Sequence, residues 1–282
     1  MKVLMLVDPF TPCPQSSSQR LSSFAKSLSL KGFKVTVITG NRCLKKTGSP
    51  PLTKEDLTVY DLKCPIFLLS ASSIIVNPFL ILLYFFFSII ILLKERADVV
   101  FASVPNGETA VAGFFVSKIF KIPFVIDMRD LYPFPSAREI LHVPIPSSMN
   151  RFHIRFFQFL YKNSGIIVCV YKCIKRELTT AGVPAEKMFV VTNGADTSIY
   201  SPCSSEERKA TRSKYKLPLD KLVFVYAGTL TSYYPTHDVI KGFSKLYQKK
   251  KNLQLLIISF KNYDRYKRIA EELELENAVK FM

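Results

Sequence analysis

Short apolar runs recur along this chain, spaced by helix-like segments, and that alternation limits the folds open to it. Runs at 2–7, 34–39, 57–62, 98–101, 124–127, 165–170 and 187–191 are interleaved with helical patterns at 19–31, 78–93, 107–120, 148–162 and 172–181. Apolar runs of this length between helices mark parallel strands buried on both faces. A doubly wound α/β sheet is the expected result. Residues 193–218 change character, with Asn-Gly, Ser-Pro, Ser-Ser and a charged helix-like run, and read as a connector. The alternation then restarts, with strands at 222–227, 253–259 and 278–281 around helices at 236–250 and 263–273. The expected division is a first domain at 1–192, the connector at 193–218 and a partial second domain at 219–282. Three strands and two helices make only half of such a domain, so its sheet is expected to have an unpaired edge and uncovered apolar faces.

With 282 residues, 48% of them hydrophobic, the chain can build two such cores. Its net charge of +17 favours an anionic partner, whether membrane headgroups, a diphosphate or nucleic acid. Nucleic acid is the disfavoured option, because neither zinc-finger spacing nor an RNA-recognition signature accompanies the charge. A solvated basic face without a dedicated partner is the plain alternative. The cysteines at 13, 43, 64, 169, 173 and 203 are scattered, and His142, His153 and His237 are dispersed. Reduced thiols are therefore expected, with no disulfide framework, no metal site and no cofactor. The apolar run after Met1-Lys2 stops at Asp8, as a first buried strand does and a signal peptide does not.

Residues 74–93 are the one stretch where a membrane span must be weighed. Asn77 and Pro78 read as the N-cap and first residue of a helix. The remaining charge-free core is then about 24 Å long, short for a bilayer. If the strands on either side share a sheet, one crossing would separate them. The favoured reading is a sheet-packed helix whose outer face dips into a lipid surface. A true span and a purely buried helix are the alternatives.

In open α/β sheets ligands bind beyond the carboxyl ends of the strands, and this rule nominates four loops. The first, 8–20, is rich in proline and serine and opens a helix whose free amides can take a phosphate or sugar oxygen; Ser17 and Arg20 lie at its end. It lacks Gly-x-Gly-x-x-Gly, which disfavours dinucleotide binding. The second, Asp127-Met-Arg-Asp-Leu-Tyr-Pro133, sets Asp127, Arg129 and Asp130 directly after a buried strand. A guanidinium between two carboxylates can fix hydroxyls or a phosphate, or serve as a structural clamp. The third holds Asn193, Gly194 and Asp196, where Asn-Gly suggests a positive-φ turn and a place for a hinge or cleft wall. The fourth follows the strand at 222–227. There Gly228 would let amides approach a diphosphate, while Thr229 and Ser232 offer donors.

Together these loops resemble family-four glycosyltransferases of the GT-B fold, in particular the branch that assembles surface polysaccharides. Four stretches carry the likeness: 1–8 with 25–39, 123–133, 181–202 and 224–246. Lys31-Gly-Phe-Lys-Val-Thr-Val-Ile-Thr39 is similar to the family's Gly-His-x-Val turn, with Phe33 for histidine. Asp127–Pro133 is similar to an Arg-Asp-Leu-Trp-Pro segment, with Tyr132 for tryptophan. Gly182-Val-Pro184, then Asn193-Gly-Ala-Asp196 and Tyr200-Ser-Pro202, form the most specific element.

The resemblance implies two Rossmann-like lobes, the second incomplete, and retaining transfer of a sugar from a nucleotide-sugar donor to a lipid-linked or polysaccharide acceptor. It puts Arg129 and Asp130 beside the reacting sugar as catalytic residues, and Gly228, Thr229 and Ser232 at the donor diphosphate. Ser17, Arg20, Asp127, Asn193, Gly194 and Asp196 would line the acceptor cleft. Two departures follow. Tyr234 stands where many relatives have a lysine, and the family's paired glutamates would fall beyond residue 282, which implies weak or no turnover by this chain alone. With its charge and apolar helix, the expected location is cytoplasmic, peripheral at the inner face of an anionic membrane. The other readings are a non-catalytic fragment or membrane-anchoring subunit that needs a partner to complete the donor lobe, and a nucleotide-sugar epimerase on the same fold.

Overall fold

Seven parallel strands form the first sheet, and their order reverses direction once. The computed structural model describes residues 1–11, 16–40, 56–62, 78–133, 147–197, 199–230, 235–259 and 263–282. Within these, β1 (Lys2–Leu6), β2 (Lys34–Thr39), β3 (Leu57–Asp61), β4 (Val99–Val104), β5 (Phe124–Met128), β6 (Ile166–Cys169) and β7 (Met188–Val190) stand in the order β3-β2-β1-β4-β5-β6-β7. Every pairing is parallel, for example Leu4 beside Thr36 and Val100. The chain winds outward from β1 to β3, returns to β4 beside β1, and winds the other way to β7. The switch point therefore lies between β1 and β4.

Helix α1 (Ser16–Leu30) covers one face. On that side Leu21 and Ala25 meet Val3, Met5, Val7, Val35 and Val37. The other face is covered by α2 (Pro78–Glu95), α3 (Gly107–Phe120), α4 (Ser147–Lys162) and α5 (Lys172–Thr180). There Tyr84, Ile91, Ala112, Phe157 and Ile174 pack on Leu4, Leu6, Val100 and Ile126. Gly113 permits the close approach of α3, since a Cβ there would lie 2.8 Å from the Phe124 ring. Two helices end on a glycine in the left-handed region, Gly32 and Gly182, both with φ of +81°. At each, paired amides close the last turn. Gly32 and Phe33 donate to Ser29 and Leu28 carbonyls, and Gly182 and Val183 donate to Thr179 and Leu178. Both glycines lie in segments that carried the family likeness.

The chain divides into two compact units, Met1–Gly194 and Ala195–Met282. The second contains α6 (Ser205–Lys214), β8 (Leu222–Ala227), α7 (Thr236–Lys249), β9 (Leu253–Ile258), α8 (Tyr263–Glu272) and β10 (Val279–Phe281). Its sheet runs β10-β9-β8, all parallel. The stretch expected as a connector holds α6. Ser204 and Glu207 cap this helix reciprocally, and Arg212 ties its end to the carbonyls of Pro218, Leu219 and Lys221. Ile240, Phe243, Leu253, Leu255, Ile257 and Tyr266 form the core of this unit. β8 takes no part on its open side, and Leu222, Phe224 and Val225 are exposed.

Candidate active site of the first unit

Polar side chains converge where the carboxyl ends of β1, β4, β5 and β7 meet. Asp127, near the end of β5, is fully buried, and Arg20 on α1 reaches it with Nη2–Oδ1 at 2.8 Å and Nε–Oδ1 at 3.2 Å. The same guanidinium donates through Nη1 to Asn193 Oδ1 at 3.0 Å and lies 4.6 Å from the centre of the Phe24 ring. Ser103, at the end of β4, donates to Asp127 Oδ2 at 3.1 Å. Buried in this way, the Arg20–Asp127 pair is held by geometry rather than by solvent, and removing either partner would strand a charge.

Arg129 takes a different path. Its Nε donates to Ser103 Oγ at 2.9 Å and to the Val104 carbonyl at 3.2 Å. The two Nη groups have no hydrogen-bond partner among the described residues, which leaves the fork of the guanidinium available. Burial lowers the pKa of Arg129 from its ordinary value. Asp127, Asp130 and Asp8 pull it back up, while Arg20 adds to the lowering. Asp130 is exposed. The expected guanidinium between two carboxylates is thus split: Asp127 belongs to Arg20 as a clamp, and Arg129 is aimed elsewhere.

Beyond β4, Asn106 turns its amide to the carbonyl of Asp8 instead of capping α3. Thr109 donates to the carbonyls of Ser103 and Asn106 at 3.1 and 2.9 Å. Beside this turn, Tyr132 stacks edge-on against His153 and Phe157, its hydroxyl 3.2 Å from His153 Nε2, and Tyr161 donates to its carbonyl. Burial pushes the Tyr132 hydroxyl well above its ordinary pKa, with Glu108 adding to the rise. Burial lowers His153, against the opposing pull of Glu108. α4 thereby fixes the loop that carries Arg129 and Asp130.

Of the expected site residues, the structure brings Arg20, Asp127, Arg129 and Asn193 together. Ser17 is half-buried in the first turn of α1, one turn before Arg20. Gly194 is exposed, and neither it nor Asn193 has a positive φ, so the turn expected there is not of that type; an added Cβ at Gly194 would meet open space. Asp196 belongs to the second unit and accepts the amides of Ile199 and Tyr200 at its carbonyl. Gly228 follows β8, but its amide is already spent on the Ile258 carbonyl at 3.0 Å, so the free donors of that turn begin at Thr229, which is exposed. Ser232 and Tyr234 lie outside the described residues, as does Asn77. Ser103, Asn106 and Glu108 were missed. The Asn106-Gly107 turn after an apolar strand was the signal that would have nominated them. Among the described residues no three His, Cys, Asp or Glu side chains are grouped to hold a metal.

An open parallel sheet with its polar groups at the switch point, followed by a second unit with a parallel sheet of its own, defines an α/β chain of the GT-B class. The family model for Glycosyltransferase Family 4 matches residues 18–199, and that for Glycosyl transferases group 1 matches residues 207–282. The chain belongs to glycosyltransferase family 4. It is 27% identical over 104 residues to a D-inositol 3-phosphate glycosyltransferase from Corynebacterium glutamicum, a stretch covering 34% of this chain and only a quarter (25%) of that protein. Its fold is similar to Anabaena HepE in complex with UDP-glucose, with a TM-score of 0.68, 18% identity, and coverage of 100% of this chain and 68% of that one. It is likewise similar to sucrose-phosphate synthase from Thermosynechococcus elongatus, at 0.73, 12% identity, and 100% and 70% coverage.

Proposed function

We propose that the protein transfers a sugar, with retention, from a nucleotide-sugar donor to a lipid-linked or polysaccharide acceptor, without a metal or other cofactor, at the cytoplasmic face of an anionic membrane. The observation that carries this reading is the open fork of Arg129 at the switch point of the first sheet, in a chain matched by the Glycosyltransferase Family 4 model and then by the Glycosyl transferases group 1 model. Support for the donor comes from relatives of this fold, one of them solved with UDP-glucose.

The chemistry asked of these residues is electrostatic. As the donor's sugar–oxygen bond breaks, negative charge grows on the leaving diphosphate and positive charge on the sugar. Thr229, with Ser232 and the turn after Gly228, would hold the diphosphate. Arg129 would direct two parallel N–H donors at the acceptor side, and Asp130 would face the oxocarbenium-like sugar. Within the first unit, the Arg20–Asp127–Asn193 clamp would hold the wall from which Arg129 projects, with Ser17 and Gly194 nearby in the chain, and Asp196 would serve as an acceptor-side residue of the second unit.

The test is product analysis with a panel of labelled nucleotide sugars, reading the anomeric configuration of any product by NMR. Arg129→Ala is expected to lower kcat/KM by about 10²- to 10³-fold, and Arg129→Lys should not restore it, because lysine lacks the planar fork. Inversion at the anomeric carbon would overturn retention. Conversion of the donor, without an acceptor, into an intact nucleotide sugar of changed configuration would make the protein an epimerase.

A second reading rests on a separate observation. Among the described residues β8 pairs only with β9, and Leu222, Phe224 and Val225 are exposed. That open strand favours a non-catalytic fragment or anchoring subunit that needs a partner to complete the donor lobe. Calorimetry with UDP-sugars separates the two, since the fragment reading expects no donor binding by this chain alone.

A further inference from the structure

α2 is the most apolar helix among the described residues and is only partly covered. Leu80, Tyr84, Ser88, Ile91 and Leu92 face the sheet. Phe79, Leu82, Phe86, Ile90 and Leu93 follow one another at helical spacing on the opposite side, with Phe86 58% and Leu93 68% exposed. The neighbouring helices on the same sheet face continue this surface, α3 with exposed Phe115 and Ile119 and α4 with exposed Phe152 and Phe159. A run of apolar side chains this long on one face marks a contact surface.

Charge decides what the contact is. Lys94, Lys118, Arg151, Arg155 and Lys162 on these three helices are exposed, as are Arg96 and Lys121 just past the ends of α2 and α3. The helices carry two carboxylates. Glu108 is buried, and Glu95 is paired to Lys34 at 2.8 Å. Asp98, just beyond α2, accepts the backbone amide of Lys2. The face is therefore apolar and cationic with no free acidic group of its own. A second copy set against it by two-fold symmetry would oppose cation to cation. A transmembrane crossing is excluded by the sheet: β3 and β4 bracket α2 in the chain, yet both join the sheet whose core α2 covers.

We propose that the outer face of α2, extended by α3 and α4, lies side-on in the interface of an anionic bilayer, with Leu82, Phe86 and Ile90 entering the acyl boundary and Lys94, Lys118 and Lys121 on headgroup phosphates. The proposal rests on the transferase reading only for its purpose. It shares the membrane location proposed above and is independent of the transfer chemistry: lipid binding and sugar transfer are measured separately, so loss of lipid binding would remove the location and leave the transferase reading standing.

The chain has no tryptophan, so Phe86→Trp makes a single reporter. Its emission is expected to shift to the blue on phosphatidylcholine vesicles containing phosphatidylglycerol, and to be quenched by lipids brominated near the headgroup end of the acyl chains. Leu82→Asp, at an exposed position that leaves the fold intact by circular dichroism, should weaken binding more than about tenfold. Lys94→Gln should weaken it about fivefold, and added salt should act in the same direction. Unchanged emission, equal binding to pure phosphatidylcholine, or self-association that Leu82→Asp abolishes would each overturn the proposal. So would carbonate-resistant insertion with both ends of α2 on opposite sides of the vesicle.

Discussion

The first strands of the two units are built from the same kind of residues and meet different fates. β1, Lys-Val-Leu-Met-Leu, has a strand on each side and helices over both faces, and four of its five residues are buried. β8, Leu-Val-Phe-Val-Tyr-Ala, has one neighbour, and Leu222, Phe224 and Val225 are exposed. A run of apolar residues states that a strand can be buried on both sides. Whether it is depends on elements elsewhere in the chain that supply the second neighbour and the second layer.

The comparison breaks first, and hardest, at the buried ion pair that the first unit holds. Arg20→Ala leaves the buried Asp127 without its ion-pair partner, with the Ser103 hydroxyl still donating to it, and should cost the first unit about 3–5 kcal/mol. Hydrogen exchange of the β5 amides checks it, because that reports on the unit by itself. A loss below about 1 kcal/mol would mean that solvent reaches Asp127 and that the clamp is a surface pair.

Next come the strands themselves. Leu4→Ala in β1 should cost about 2–5 kcal/mol, since Leu4 has no exposed surface. Val225→Ala in β8 should stay within about 0.5 kcal/mol either way. Exchange rates of β1 and β8 amides in the two variants give both numbers, and equal costs would erase the distinction between the strands.

Two glycines sharpen the contrast with a single kind of substitution. Gly113→Ala in α3 drives a methyl to 2.8 Å from the Phe124 ring, with Leu6 and Val100 side chains at 3.3 Å, and overpacking of that kind costs about 1–3 kcal/mol. Gly242→Ala in α7 meets nothing within 4 Å and should stabilise the second unit by about 0.5–1 kcal/mol. The sign reversal is the point, read by segment-resolved exchange in α3 and α7.

Local pattern made much of this legible before any coordinates. α3 occupies Gly107–Phe120 and β8 Leu222–Ala227, the spans read from periodicity, because helix and strand spacing are set within a few residues. The switch-point rule places Arg20, the pair Asp127 and Arg129, and Asn193 on three separate loops. It could not pair them. Arg20 and Asp127 are 107 positions apart and Arg20 and Asn193 are 173 apart, and pairings over such distances follow from strand order, not from local spacing. The sequence placed three charges side by side after β5 and invited a clamp within that loop. The pleat of β5 instead turns Asp127 inward to α1, and Arg129, two positions later at the start of the loop, runs across to the end of β4. Gly228 makes a related point: just past β8 its amide still joins the ladder, bonded to the Ile258 carbonyl, which local spacing does not show.

The smallest expected effect concerns His153, and it too tests whether the site wall belongs to the buried unit. Burial holds the folded pKa of His153 below its ordinary value, and Tyr132 sits on Nε2 of the neutral ring. In the unfolded chain the imidazole takes its proton near pH 6.5. Between that pH and the lower folded value the unfolded state binds more protons, so the stability of the first unit should fall as the pH drops through this window. The buried Glu108 opposes the shift and keeps the effect modest. His153→Gln keeps a hydrogen-bonding partner for the Tyr132 hydroxyl, able to donate or accept, but cannot titrate, and should flatten the stability profile above the carboxylate range, near pH 4. An unchanged slope in urea titrations at stepped pH would show that His153 protonates as freely folded as unfolded.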